Sequence, residues 1–470
     1  MARFFMFLLL ASALISVQIA VSKAQEKNFK PSTWAEWNRE FTPRIPGKTW
    51  QKFASPEEAG WSSEKLAEVR NLSKAIGSAA VMIVYDGVVL VEWGEVERRF
   101  MGHSMRKSLL SALYGIAVER GQIDLNESMG ALRINDDTAL TVEEKTAKIS
   151  DLLKARSGVY LPAAYETKGM KESRPKRGSH KPGNHWYYNN WDFNALATIY
   201  NRKTKGDLFK AFKSQIADPL QMQDFNPRHT YYHLEAHNSR HAAYPFRMSA
   251  RDLARFGLLF LNEGAWNGRQ IISADWVRES TKSYSGSERD GVGYGYMWWR
   301  FLGPTTDLGT YAAAGYGGHR IIVVPEARLV MIHRSNTYID TRISGNQIGI
   351  LLRSVLRARI GTARKYPQIV NRKQQTTFEE SSPPSKAEIE ATLGQYRSQR
   401  FLWTISQRSN GLKAHSPTFG SFNLLRVGEY EYLMEDALYH VRFEGDKSAP
   451  ATRLTITYPH DKPLKLWRVP

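Results

Sequence analysis

Cysteine is absent from all 470 residues, which excludes disulfides, a lipid-bearing cysteine and any thiolate metal site. Long apolar runs are missing too, with one exception. Residues 4–21 are mostly apolar behind Arg3, and Ser22-Lys23-Ala24 fits a small-x-Ala cleavage site. Residues 1–24 therefore read as a signal peptide cut after Ala24, giving a periplasmic or secreted protein; an uncleaved anchor is the alternative. The chain has no H-E-x-x-H. His229, His233, His237 and His241 recur every fourth residue, but Thr230, Tyr231, Tyr232, Asn238 and Ser239 between them are poor helix formers. No metal site is expected there. Acidic residues number 46 against 65 lysines and arginines, a net charge of +19. The surplus reads first as general surface charge, and second as weak contact with an anionic cell-wall or membrane surface. Zinc-finger, RNP-like and basic-zipper patterns are missing, so nucleic acid is not an expected partner.

What is present divides into segments. Residues 25–48, with Trp34, Trp37, Pro43 and Pro46, suggest an irregular arm. Residues 49–365 carry the main domain. Within it, 61–76 has a helical period, and 79–95 sets two β-branched runs around Asp86-Gly87, a strong hairpin signal. Helices are expected over 149–153, 191–200, 249–263, 274–280 and 345–359, and strands over 293–300, 310–318, 320–325 and 329–333. Residues 366–387 are polar, contain Pro383-Pro384, and read as a linker. Residues 388–470 alternate in short β-like runs after a brief helix. The expected fold class is α+β: an antiparallel sheet flanked by helices with a helical subdomain, then a small all-β barrel or sandwich that packs against or covers it.

The chemistry concentrates at residues 101–121, where Ser104 and Lys107 stand three apart at the head of an apolar helix. A serine hydroxyl needs a neighbouring base to attack near neutral pH, and a lysine serves if burial keeps it neutral. The same spacing at Ser62/Lys65 is explained as a helix cap, and at Ser173/Lys176 it falls in a loop broken by Pro175. Only Ser104/Lys107 opens a wholly apolar helix. Two Y-x-N registers overlap downstream, Tyr187/Asn189 and Tyr188/Asn190. Between them and the helix lies a basic loop, 165–183, with Lys168, Lys171, Arg174, Lys176, Arg177 and Lys181. It reads first as solvated, second as the rim of a site favouring anionic substrates.

Taken together, these motifs resemble the serine β-lactamase-like superfamily, in the branch with class C β-lactamases, penicillin-binding D,D-peptidases, family VIII carboxylesterases and 6-aminohexanoate-dimer hydrolases. The resemblance spans residues 51–359. It rests on Ser104-Met105-Arg106-Lys107, Pro182-Gly183 leading to Tyr188-Asn189-Asn190, the 248–272 helix segment, GYGYMWW at 293–299 and AAGYGGHRIIVVPEARLVM at 313–331. It implies a β-lactamase/transpeptidase-like domain, with a lipocalin-like β module behind it. By this likeness Ser104 is the acylated nucleophile, and Lys107 and Tyr188 share base and acid duties. Asn190 is expected to hold Lys107 and touch substrate, and the N–H groups of Ser104 and Tyr316 form the oxyanion hole. Ala313, Ala314, Gly315 and His319 are placed at the substrate, although His319 is expected to bond locally in preference. The Lys or His that β-lactamases and D,D-peptidases carry at the head of the third motif is Ala313 here. That departure shifts the expectation from lactams toward esters and amides. The implied activity is an exported serine hydrolase acting on a small ester, amide, lactam or peptide-like substrate with no cofactor. The alternatives are a D,D-peptidase or D-amino-acid peptidase, and a non-catalytic cell-wall or acyl-ligand binding protein.

Overall fold

In a computed structural model, the described residues are Trp34, Trp37, Asn38 and 44–470, apart from 288–290, 303–307, 340, 374–381, 400, 410, 438, 447–448 and 458–462. The signal segment expected at 1–24 lies outside them. Two compact units divide the chain at Phe41/Thr42. In the first, the Trp34 and Trp37 rings meet edge to face at 5.5 Å. The second holds the remaining described residues. Residues 44–48, expected in the arm, belong to it: Arg44 pairs with Asp86, and the Gly47 and Lys48 carbonyls accept from Arg255.

The organising layer is a ten-stranded mixed sheet. Its centre is the expected hairpin, Ser78–Tyr85 with Val88–Gly94. Asp86 and Gly87 both take positive φ, as the tight turn requires. Leu329–Ser335 pairs antiparallel with Ser78–Tyr85, followed outward by Arg320–Val324 and Tyr311–Ala314. On the other flank, Gln51–Phe53 pairs with Ile369–Asn371, Gln51 facing Asn371. Part of the expected 366–387 linker is therefore an edge strand: the short run Ile369-Val370-Asn371 finds its hydrogen bonds on the sheet.

The five longest helices among the described residues pack on this sheet or on one another. Helix α1 (Ser63–Ala75) starts on Ser62, whose hydroxyl accepts from Lys65 N–H, so the first S-x-x-K is a cap. Helix α2 (Arg106–Glu119) is buried from Arg106 to Ala117. Helix α3 (Asn190–Thr204), α4 (Ala250–Leu261) and α5 (Gly345–Arg357) follow. Strand alternation assigns the two faces. Ala80, Met82 and Val84 join the core shared by α2, α3 and α4. Val81, Ile83 and Tyr85 are buried on the opposite face, where Trp61 and Arg359 lie against the Tyr85 ring and α1 packs on α5. Among the described residues, no helix is long and apolar enough to cross a membrane.

Behind the sheet domain, Gly394–Arg397 through Leu464–Arg468 close an eight-stranded antiparallel barrel. Its alternate residues, Trp403, Ile405, Leu412, Ala414, Phe422 and Leu424 among them, fill the interior. The fold class is thus α+β with an all-β C-terminal barrel, as expected.

Helix α4 touches the sheet through Gly257, where an added Cβ would lie 2.6 Å from Val330 Cγ1 and 3.1 Å from Ile321 Cγ2. We expect Gly257→Val to cost about 1–3 kcal/mol by overpacking. Urea denaturation of the purified variant measures it; unchanged stability would mean that α4 is free to shift.

Candidate active site

The strand Phe100–Met101 ends in a 3-10 turn, His103–Met105, which runs straight into α2. His103 holds φ at +47°, a conformation costing a non-glycine residue roughly 1–2 kcal/mol. Both of its ring nitrogens are engaged, Nε2 with Thr337 Oγ1 at 2.8 Å and Nδ1 with Tyr165 OH at 3.2 Å. Burial, with Arg334, Arg106 and Lys107 nearby, lowers its pKa to about 3, so the ring is neutral. The residue before Ser104 is thereby pinned in a strained turn.

One helical turn later, Lys107 Nζ lies 2.8 Å from Ser104 Oγ and 2.8 Å from Tyr188 OH. The lysine is 1% exposed. Burial, aided by repulsion from Arg106, drives its pKa well below the ordinary lysine value, which favours the neutral amine with its lone pair over the ammonium. The amine also sits 4.5 Å from the Tyr188 ring centre and 4.8 Å from that of Phe193. Burial raises Tyr188 to about 12, against the pull of its bond to Ser104 and of Arg106 and Arg320. Its ring stacks on Trp299 at 5.4 Å and meets Phe193 and Tyr294. A neutral amine between two protonated hydroxyls is an arrangement that can pass protons in either direction.

The two Y-x-N registers separate cleanly. Tyr187 turns away and donates to Met170 O at 2.6 Å. Asn189 caps α3, accepting from Trp191 N–H and donating to Val159 O. Asn190 Nδ2 donates to Tyr165 O at 2.5 Å. The Asn190–Lys107 bond expected from the sequence is not made: both hydrogen bonds of Lys107 go to hydroxyls, and Asn190 instead holds the start of the 165–183 loop.

Tyr316 opens a second 3-10 turn, Tyr316–Gly318, behind the strand Tyr311–Ala314. The first N–H groups of such a turn have no partner within it, as for Ser104 in its own turn. Gly315 is what lets the two turns meet. A Cβ there would come 2.6 Å from Gly102 O and 3.1 Å from His319 Cβ. Ala313 is buried in the core and Ala314 is half-buried; neither they nor Gly315 lines the cavity described below. His319 is fully buried and also lies outside the lining, which corrects its expected place at the substrate. Its Nδ1 accepts from Arg334 Nε at 2.9 Å and its Nε2 faces Thr337 Oγ1 at 3.5 Å. Arg334 in turn donates to the Phe100, Met101 and Met248 carbonyls, bracing the strand that leads to Ser104.

Ser104 opens into a cavity of about 1070 Å³. One wall is the main domain: Met101, His103, Tyr165, Tyr231, Tyr316 and Tyr338. The other is one end of the barrel, with Phe401, Trp403, Phe419, Phe422, Tyr439 and Leu464. Sequence reading singled out neither His103 nor any barrel residue; it had Tyr165 only as part of the loop read second as a site rim, and the barrel only as packing against or covering the main domain. The barrel is held there by arginines. Arg99 pairs with Glu435 and Asp436 at 2.5 and 2.9 Å, and Arg98 donates to the Asp436 and Ala437 carbonyls. Arg247 donates to the Ser421 and Phe419 carbonyls and lies 3.8 Å over the Phe422 ring.

The basic loop is less basic than its composition. Arg174 is paired with Glu166 at 2.5 Å and Arg177 with Glu144 at 2.7 Å; of its six cations only Lys168 lines the cavity. The four-spaced histidines do not share a face. His233 pairs with Glu235 and His241 with Thr198, and among the described residues no group of three His, Asp or Glu is placed to hold a metal.

A family model described as Beta-lactamase matches residues 63–346. Among solved structures, a putative 6-aminohexanoate-dimer hydrolase from Bacillus anthracis superposes with a TM-score of 0.50 at 18% identity, over 69% of this chain and 92% of that one. A putative beta-lactamase from Bacteroides dorei gives 0.49 at 15%, over 63% and 99%. A family VIII carboxylesterase gives 0.47 at 16%, over 64% and 99%. Of these the first, with a TM-score of 0.50 at 18% identity, speaks for the fold alone. No curated protein matches the sequence.

Because Gly315 spaces the two turns, Gly315→Ala is expected to slow covalent labelling of Ser104 by a fluorophosphonate by about 10²-fold, the usual effect of spoiling one oxyanion donor. Labelling followed by intact mass reads the rate; a rate equal to wild type would free Tyr316 from any part in the site.

Proposed function

The chain belongs to the beta-lactamase family, whose members are generally serine hydrolases, and from that premise we propose an esterase- or amidase-type enzyme working through an acyl-Ser104 intermediate. One observation carries the reading: a buried Lys107 amine, its pKa held well below the ordinary lysine value, lies within 2.8 Å of both the Ser104 and Tyr188 hydroxyls. In the proposed first step Lys107 Nζ takes the Ser104 proton as Oγ attacks the substrate carbonyl. The developing oxyanion turns toward the N–H groups of Ser104 and Tyr316. Tyr188, held protonated, gives its proton to the leaving oxygen or nitrogen and regains one from Lys107. Water then enters and the same groups return the acyl group to it. No metal or cofactor takes part in these steps. Ala313 in place of a cationic side chain favours esters and simple amides over β-lactams, whose carboxylate that cation would meet. Residues 1–24 serve, in the same proposal, as an export signal removed after Ala24.

Intact mass after fluorophosphonate treatment tests this directly. Wild type is expected to gain one adduct, and Ser104→Ala none; an adduct on both would place the nucleophile elsewhere. The mass of protein recovered from cells reads cleavage after Ala24 in the same experiment.

The pH profile carries a second prediction. Lys107 must be unprotonated to act, so kcat/KM should fall on the acid side, through a lysine pKa well below the ordinary value. Tyr188 near 12 should add no alkaline limb at lower pH. Lys107→Ala should lose that acid limb together with about 10²–10⁴-fold in rate. A limb that persists in the variant would assign the base to another residue.

A further inference from the structure

The cavity, at about 1070 Å³, stands at the top of the roughly 300–1,000 Å³ range of ligand pockets and offers more room than the transfer of a small acyl group needs. Its barrel wall is aromatic. Trp403 and Phe419 stack at 5.9 Å with their planes 13° apart, and Phe401 meets Phe419 at 5.3 Å. Phe419 is 38% exposed and Tyr316, across the cavity, 41% exposed. Both are large apolar side chains left open to the same space, beside the nucleophile. Exposed aromatics scattered over a surface need no explanation, but a facing pair inside one concave site marks a place for apolar ligand surface. The carboxylates at the wall have partners in the protein: Glu166 meets Arg174, and Glu235 meets His233 and Asn238. The wall is also fixed, because Arg247 and Arg99 tie this end of the barrel to the main domain. An apolar group reaching from Ser104 would find these rings already in place.

We propose that the barrel end is a specificity subsite, and that the substrate is an ester or amide carrying a bulky apolar arm, aryl or medium-chain, which lies against Phe419 and Trp403. This rests on the acyl-Ser104 reading for its catalytic half, and on the cavity alone for its binding half.

The experiment separates the two. Hydrolysis of methyl acetate, benzyl acetate and methyl 4-phenylbutyrate is followed by pH-stat, so that the ring is offered on either side of the scissile bond. Wild type should prefer one of the bulky esters at least tenfold in kcat/KM over methyl acetate. Phe419→Ala, and Thr418→Trp which fills the same space, should each lower that ratio at least fivefold. Trp467→Ala, an exposed barrel residue away from the cavity, should keep it. Binding is read independently of turnover, by equilibrium dialysis of 4-phenylbutanamide against Ser104→Ala with and without Phe419→Ala. Weaker binding on loss of Phe419 supports the subsite even if no ester is hydrolysed, a result that would sink the catalytic reading alone. A fluorophosphonate adduct at Ser104, combined with ratios and binding indifferent to Phe419 and Thr418, overturns the subsite and leaves the catalysis standing.

Discussion

Keeping one lysine amine out of water is the constraint on which the site depends. An ammonium is strongly hydrated, and transferring it into protein costs several kcal/mol unless a counter-charge or a lost proton relieves it. No carboxylate is hydrogen-bonded or ion-paired to Lys107 among the described contacts, while a second cationic side chain, Arg106, adjoins it. Losing the proton is the relief that remains. The apolar character of α2 therefore does two things at once. It builds the core of the domain, and it lowers the proton affinity of its own second residue.

The same logic explains why the hydroxyls are where they are. A neutral amine still needs hydrogen-bond partners once buried, and Ser104 and Tyr188 supply them. Tyr188 could not be replaced by a carboxylate without restoring the ammonium. Its ring, packed among Phe193, Tyr294 and Trp299, keeps water from the other side of the amine. Stability and reactivity are satisfied by one arrangement, because each polar atom of the trio meets another.

How much of this was legible in the sequence follows from how far apart the cooperating residues lie. Ser104 and Lys107 are three apart on a helix, so their proximity is a property of local geometry and can be read directly. The hairpin at Asp86-Gly87 and the cap at Ser62 are equally local. Tyr188 could be reached only through resemblance, because nothing between residues 107 and 188 fixes that contact. Asn190 shows where resemblance alone misleads: it stands in a position of the right kind but is drawn to the Tyr165 carbonyl, while His319 bonds to Arg334, the kind of local bond preferred for it from the sequence. Those partners come from a loop and a strand outside the motifs themselves. The barrel was expected to pack against or cover the main domain, but its wall residues were not legible one by one, since Trp403, Phe419 and Phe422 also satisfy the pattern of ordinary core and turn residues. The linker over 366–387 misread for a similar reason: three residues are too few to show a period, and only the sheet edge gives them one.

The excess of positive charge looks different once the chain is folded. A basic composition suggests a surface waiting for an anion, but many of these arginines face inward. Arg334 brackets three carbonyls around the strand that leads to Ser104, Arg255 gathers those of Gly47, Lys48 and Leu220, and Arg247 two on the barrel. A guanidinium offers five donors in one plane, which suits it to gather carbonyls that regular pairing leaves without partners. Such carbonyls occur where strands stop, at the edges of the active site and at the seam with the barrel. Irregular backbone is what lets the two turns at Ser104 and Tyr316 approach, and buried arginine is what makes that irregularity stable. Part of the basic composition is therefore a requirement of the site's architecture, independent of any anionic partner.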